Sequence, residues 1–345
     1  MINSYEIARL AGVSQSTVSR VLNNASNVRP ETAERVWRVI REHGFTPNAL
    51  ARSLAKQRAD AIGIFFFYRS TSMPLEGHIW MDLIVRSCRS VAEAKGFMLA
   101  VESIDTNEDM ERALATVRQH RVDGAIFYGN GPQGFDLTPF MEAGTPLAMV
   151  NRRRLPDAPK HVVQVSAANA DGAYAAIEHL YSLGHRRIAI MTGELWRHSV
   201  EERLTGYRRL LEPLGLFDPS LVIEGDQREM RAYQTTLSLL QGPWKEPQRR
   251  PTAIFATTDR VATGIFVAAA RAGLRVPEDL SIVGFDHQGY TSFPLTSVYF
   301  PVAEICQTGM ERLVRLIEGQ PVRKREVVVP CRLVIGPTTA PPRQA

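Results

Sequence analysis

Residues 4–23, SYEIARLAGVSQSTVSRVLN, decide how the first part of the chain folds. Ser4 can cap a short helix in which Ile7, Ala8 and Leu10 fall at helical spacing. Gly12 interrupts that helix, and a residue without Cβ enters a tight turn free of strain. Ser14 then caps a second helix, Gln15 to about Asn23, with Val18, Val21 and Leu22 facing inward. Two short helices across a glycine-containing turn form a helix-turn-helix. The outward face of the second helix carries Gln15, Ser16, Ser19 and Arg20. In the major groove Gln pairs bidentately with adenine, and Arg with guanine. A third helix, about Glu31 to His43, supplies Val36, Trp37 and Ile40 to a small core, and Gly44 ends it.

Charge supports this reading. Residues 1–58 hold nine Lys and Arg against four acids, a balance of +5. The whole chain has 41 basic and 36 acidic residues, so the rest of the 345-residue chain sums to zero. A basic head on a neutral body fits a polyanionic partner for the head and a different one for the body. Asn48 can cap a further short helix over TPNALARSLAKQR (46–58), with Leu50 and Leu54 spaced four apart. Alone, that segment is too short to be stably helical.

From Ala61 short apolar runs alternate with amphipathic stretches. Strands are expected at 62–67, 97–102, 124–128 and 146–150, with helices at about 79–95, 108–119 and 137–143. A second set has strands at 161–165, 187–191, 221–225, 253–257 and 280–285. Its helices fall near 169–183, 199–213, 228–240 and 258–272. The tail adds a strand at Thr296–Tyr299, a helix at about Val302 to Ile317, and short strands at 327–329 and 332–335. This alternation predicts an α/β body of two doubly wound parallel-sheet subdomains. Ligands of such sheets bind outside the carboxyl ends of the strands. The polar residues there are Tyr68, Arg69, Tyr128, Asn151, Arg152, Glu194, Trp196, Gln227, Asp259, Asp286 and His287.

AGVSQSTVSRVLNN with PNALARSL resembles the LacI family of bacterial repressors. The similarity continues through RVDGAIF, EHLYSLGHRRIAIMTG, ERLTGYR, RPTAIFATTD, GLRVPEDLSIVGFD and the closing TTAPP. The resemblance implies a periplasmic-binding-protein-like body and divides the chain into a head (1–46), a hinge helix (47–58) and an effector-binding and dimerisation domain (59–345). In that last domain the implied N-subdomain is about 61–160 with 291–325, and the C-subdomain about 161–290 with 326–345. It implies base contacts from Gln15, Ser16 and Arg20, and phosphate contacts from Thr17 and Ser19. The hinge residues Asn48, Leu50, Arg52 and Leu54 then meet the minor groove, with Leu54 as a wedge in a central base step. In the body, Asp259 and Arg203 match the family's effector-bonding acid and arginine. Asn151 matches the polar end of the fourth strand, and Gln227 stands where many members place an aromatic.

Carboxylate, amide and guanidinium groups with aromatic faces suit a carbohydrate. Trp80 and Trp196 are platforms for it or ordinary packing residues; Asp259 is a ligand contact, a helix cap, or both; Arg203 grips a ligand or is a solvated helix charge. Three departures from the family stand out. FYRSTSMPLEGHIW (67–80) lacks the usual Asn-Pro segment, Ala168 replaces an acid before Asn169, and Arg152, Arg153 and Arg154 add positive charge. These arginines favour an acidic effector, such as a sugar acid or phosphorylated sugar, unless they point into solvent.

Other chemistry finds no support. GNGPQG (129–134) fits a Gly-x-Gly-x-x-Gly string, but Pro132 spoils the helix start and arginines stand where an acid is needed. No metalloprotease, hydrolase or P-loop motif occurs, and no nucleophile has a base at sensible spacing. Cys88, Cys306 and Cys331 form neither a disulfide framework nor a metal site. No cofactor, metal or catalysis is expected. With no signal pattern or membrane-length apolar run, a cytoplasmic chain without membrane contact is expected. The close in PTTAPPRQA suits no coiled coil, so homodimers are expected, each reading a pseudo-palindromic operator and answering a small-molecule effector. The alternatives are a purine or other metabolite acting as co-repressor, a sugar-binding transport protein, and a nicotinamide enzyme.

Overall fold

The computed structural model describes residues 2–22, 27–45, 58–67, 77–129, 135–289 and 291–343, with side chains of the helix Gly77–Ala94 from Trp80 onward. It comprises two compact units, residues 1–60 and 61–345. Among the described residues no helix is long and apolar enough to cross a membrane.

The first unit holds three helices, Ser4–Ala11, Gln15–Leu22 and Pro30–Glu42. The first cap lies one residue earlier than expected. Asn3 Oδ1 accepts the N–H groups of Tyr5 and Glu6, and the Glu6 carboxylate accepts the N–H of Asn3, each at 3.0 Å. A glutamate three residues on makes Asn3 half of a reciprocal pair, which Ser4, followed at that distance by Ile7, cannot form. Gly12 ends the helix at φ +63°, in the left-handed region. Ser14 Oγ accepts the Thr17 N–H at 3.2 Å, as expected of a cap. Ile7, Ala8, Ala11, Val18, Val21, Val36, Val39 and Ile40 form the core. Leu10 is instead 46% exposed, because Ile7 and Ala11, four apart, already define the buried stripe.

The body contains two six-stranded sheets. We number its strands β1 (Ala61–Phe67), β2 (Met98–Ile104), β3 (Gly124–Tyr128), β4 (Leu147–Val150), β5 (Val162–Ala167), β6 (Ile188–Met191), β7 (Val222–Ile223), β8 (Ala253–Ala256), β9 (Ser281–Asp286), β10 (Thr296–Tyr299), β11 (Glu326–Val329) and β12 (Arg332–Val334). The first sheet has the order β11-β5-β4-β3-β1-β2 and the second β12-β10-β9-β8-β6-β7. All pairings are parallel except β10 with β12.

These pairings correct the expected subdomain boundaries. β5, expected in the C-subdomain, pairs with β4 in the first sheet, Leu147 opposite Val162. β10, expected in the N-subdomain, pairs with β9. β11, assigned to the C-subdomain, pairs with β5, Glu326 opposite Gln164. The chain therefore passes between the subdomains near residues 168, 300 and 330, not 160, 290 and 325. The reason is physical: both faces of a strand such as β5 are buried, so its apolar run is the same whichever sheet receives it. The helix Val302–Ile317 covers the first sheet. There Gly309 lies so close to β4 that a Cβ would sit 2.8 Å from Val150 Cγ2.

Candidate functional site

The head presents Gln15, Ser16 and Arg20 exposed, with Thr17 and Ser19 half-buried. The Ser14 hydroxyl lies 2.8 Å from both the Ser16 and Thr17 hydroxyls, which ties these side chains to the turn of the motif. The hinge residues Asn48, Leu50, Arg52 and Leu54 lie outside the described residues, as do Tyr68 and Arg69 of the body.

The candidate site lies at the carboxyl ends of the two sheets, where Tyr128 of β3 is within electrostatic reach of Asp286 and Arg203. Four of its residues adopt left-handed or otherwise positive φ: Asn151 (+53°), Gln227 (+62°), Asp286 (+124°) and His287 (+50°). Such backbone is uncommon outside glycine and concentrates at functional sites.

From the second subdomain comes Arg203, on the helix His198–Leu211 and 4% exposed. That helix runs against the helix Asn169–Ser182 at Gly206, where a Cβ would meet Ala170 O at 2.1 Å. The close approach sets the depth of Arg203. Its Nε donates to Asn169 Oδ1 at 3.1 Å and its Nη1 to Thr257 O at 2.5 Å. Nη1 also stands 3.6 Å from Asp286 Oδ1. The guanidinium stacks on Phe285, 3.6 Å from the ring centroid, with Phe300 at 5.7 Å. Asn169 Nδ2 in turn donates to Glu202 at 3.0 Å. Burial pushes the Asp286 carboxyl well up, while Arg203 pulls it down.

Asp259 is not the cap of its helix. The cap of its helix is Thr258, whose Oγ1 accepts the Val261 N–H at 3.2 Å. Asp259 is 3% exposed. Oδ2 accepts the His287 N–H at 2.8 Å, and Oδ1 accepts the Ser297 hydroxyl at 2.5 Å. Burial raises its pKa to about 6 against these two hydrogen bonds. Asp259 therefore holds the turn after β9, and Asp286 is the carboxylate beside Arg203. Asp286 stood among the strand-end residues of the sequence but without a role. Its pairing across 83 positions leaves no local pattern to find it by.

The first subdomain contributes Tyr128 and Asn151, whose side chains hydrogen-bond to each other. Burial raises the Tyr128 phenol well above its usual range, and Asp286 and Arg203 act on it electrostatically from the other subdomain. Trp80 packs edge-on against Phe300, with ring centroids 5.7 Å apart. Arg152 Nη1 donates to Gly129 O at 2.6 Å and its guanidinium covers Phe67 at 4.3 Å. On the rim, Trp196 lies under Arg197 at 4.7 Å, and Arg197 pairs with Glu194 at 3.1 Å. Gln227 packs over Gly193, where a Cβ would come within 2.3 Å of its Cγ. His287 is half-buried at the end of β9. Carboxylate, guanidinium, amide, phenol and indole groups thus stand near the carboxyl ends of the two sheets, a set suited to orienting a polar small molecule. Among the described residues no group of three or more His, Cys, Asp or Glu side chains could hold a metal ion.

Comparison with known proteins agrees with this architecture. Residues 5–48 match the profile described as bacterial regulatory proteins, lacI family, and residues 177–339 match a periplasmic binding protein-like domain. The chain is 31% identical to the HTH-type transcriptional regulator DegA of Bacillus subtilis (strain 168), over 98% of both chains. It is 30% identical to the lactose operon repressor of Escherichia coli (strain K12), over 99% of this chain and 91% of that one. Among solved structures, the lac repressor dimer bound to operator and the anti-inducer ONPF superposes with a TM-score of 0.81 at 29% identity, covering 98% of this chain and 99% of that one. The CelR–cellobiose complex superposes with a TM-score of 0.69 at 27% identity, covering 98% of this chain and 100% of that one. By its full-length likeness, its head and its two-sheet body, this chain belongs to the lacI family of bacterial regulatory proteins.

Proposed function

We propose that the protein is a cytoplasmic, ligand-responsive repressor whose dimer binds a pseudo-palindromic operator and releases it when a sugar or sugar acid enters the cleft. Gln15, Ser16 and Arg20 read bases, Thr17 and Ser19 contact phosphates, and residues 47–58 bridge the head to the ligand-dependent body. Two-fold protein pairing explains the expected two-fold operator. In the cleft, Arg203 with Asp286, Asn151 with Tyr128, and Gln227 and His287 at the rim bond hydroxyls; Trp80 and Trp196 cover apolar ring faces. Asp259 acts by positioning Asp286 and His287. No catalytic step is assigned.

The observation that carries this reading is the Arg203–Asp286 pair, buried in the second subdomain yet electrostatically coupled to Tyr128 of the first. A ligand touching both halves favours one relative placement of the subdomains, a coupling of typically about 1–3 kcal/mol. The relatives support the class: one solved neighbour holds cellobiose and another an operator. A second reading, a purine co-repressor, draws on 30% identity to the HTH-type transcriptional repressor PurR of Aliivibrio fischeri (strain MJ11), over 93% of both chains. Anisotropy of a labelled operator fragment, titrated with sugars, sugar acids and purines, decides between them. Release by a sugar or sugar acid supports the first reading, and binding strengthened by a purine replaces it with the second.

A further inference from the structure

The run Arg152-Arg153-Arg154 divides in the structure. Arg153 is exposed and pairs with Glu201, which belongs to the other subdomain. Arg154 is exposed and pairs with Glu326 of β11, its Nε 2.7 Å from the carboxylate. Arg152 has neither arrangement. It is half-buried, and its side chain leaves the end of β4, bonds the carbonyl of Gly129 past the end of β3, and covers Phe67 at the end of β1. It therefore lies across the carboxyl ends of three adjacent strands, where this fold takes its ligand. Among the described residues it makes no ion pair and no other hydrogen bond.

The carboxylates at the other strand ends are already committed. Glu194 pairs with Arg197 at 3.1 Å, and Asp226 accepts Arg228 Nε at 2.6 Å. Asp286 faces Arg203, and Asp259 accepts Ser297 and the His287 N–H. Burial lowers the Arg152 pKa to about 10, which leaves the group cationic at neutral pH. A half-buried cation with one carbonyl partner is a poor structural element, since burying charge is costly unless it is paired. Guanidinium presents a planar fork of five donors matched to carboxylate or phosphate.

We infer that the effector carries an anionic group, carboxylate or phosphate, and that Arg152 is the residue that binds it. The anion completes the pairing of Arg152, while the hydroxyl-bearing remainder reaches Arg203 and Asp286 across the cleft. This inference rests on the carbohydrate reading above only for that remainder; the anion site stands by itself.

The test uses the full chain and inorganic phosphate as probe. Thermal unfolding is followed at rising phosphate, with chloride holding ionic strength constant, because a ligand that binds only the folded state raises Tm. The wild type is expected to gain Tm in a saturable manner. R152Q should weaken the apparent affinity about 10- to 100-fold, the usual effect of losing a charge-assisted pair. R152K, which keeps the charge but not the fork, should fall between them. The same phosphate response in wild type and R152Q would overturn the proposal, as would no response in the wild type. In the operator-release assay, paired sugars such as glucose, gluconate and glucose 6-phosphate give the second arm. Release by anionic members alone, lost in R152Q, supports the proposal; release of wild type and R152Q alike by a neutral sugar overturns it. An Arg152-dependent phosphate response with no release by any sugar would support the anion site while refuting the carbohydrate reading.

Discussion

Replacing Arg203 by methionine tests the cleft by stability as well as by function. Nη1 of Arg203 and Oδ1 of Asp286 are 3.6 Å apart, and both residues are nearly sealed from solvent. With an effective dielectric constant of about 20, two unit charges at that distance interact by about 5 kcal/mol. R203M removes this attraction together with the bonds to Asn169 and Thr257, and leaves a buried carboxylate alone. Removal of one member of a buried pair costs about 3–5 kcal/mol. The cost depends on pH. Burial already raises the Asp286 pKa, and without the arginine it rises further. The folded variant then holds a proton that the unfolded chain releases near 3.9. Its stability is therefore greatest in acid and declines as pH rises through the folded pKa of Asp286. Urea unfolding followed by circular dichroism should show R203M about 3–5 kcal/mol less stable than wild type at pH 8, with a smaller gap at pH 5.5. The double variant R203M/D286N should recover much of the loss, since no charge remains to be buried. A gap under 1 kcal/mol at pH 8, or a double variant no better than R203M, would refute the reasoning.

Other outcomes follow from single contacts. His185 is 1% exposed and bonds Thr252, Ser281 and the carbonyl of Ala340; burial lowers its pKa to about 4. The unfolded chain takes that proton near 6.5, so up to about 3 kcal/mol of stability, full above pH 6.5, is lost as pH falls toward 4. H185N should flatten this part of a stability–pH curve, and an unchanged curve would count against it. G206A forces a methyl group against Ala170 O and should cost about 1–3 kcal/mol in the same urea experiment, with a further loss of effector response as Arg203 shifts. R20A should lose about 1–3 kcal/mol of preference for operator over unrelated DNA in competition gel shifts, and an unchanged preference removes Arg20 from base reading.

The sequence carried the local architecture well. Periodicity located most strands and helices to within two residues, and the tail strand Thr296–Tyr299 and the helix Val302–Ile317 have the expected bounds. Strand β7 is the exception, two residues where five were expected, with Glu224 already exposed beyond it. Local signals did not say which sheet takes β5 or β10, because a strand buried on both faces carries no label for its neighbour, nor where the short, partly exposed edge strand β11 pairs. The site was legible as a set of strand-end residues, among which the structure brings Tyr128 beside Asn151 and Asp286 beside Arg203. Its internal division was not. Asp259 and Asp286 are both acids following apolar strands, and only Ser297 and the His287 amide, far along the chain, separate the positioning carboxylate from the one beside Arg203. The three arginines after Asn151 look alike in sequence and differ in their burial and in the partners that folding brings to them.

The central claim is that the head reads a specific DNA sequence, and selection of genomic fragments by the purified protein at about physiological salt tests it most directly, since salt governs all phosphate-driven binding. One pseudo-palindromic sequence should be enriched by the wild type and not by R20A. Sequence-blind binding that merely weakens as salt rises, equal in both proteins, would contradict it.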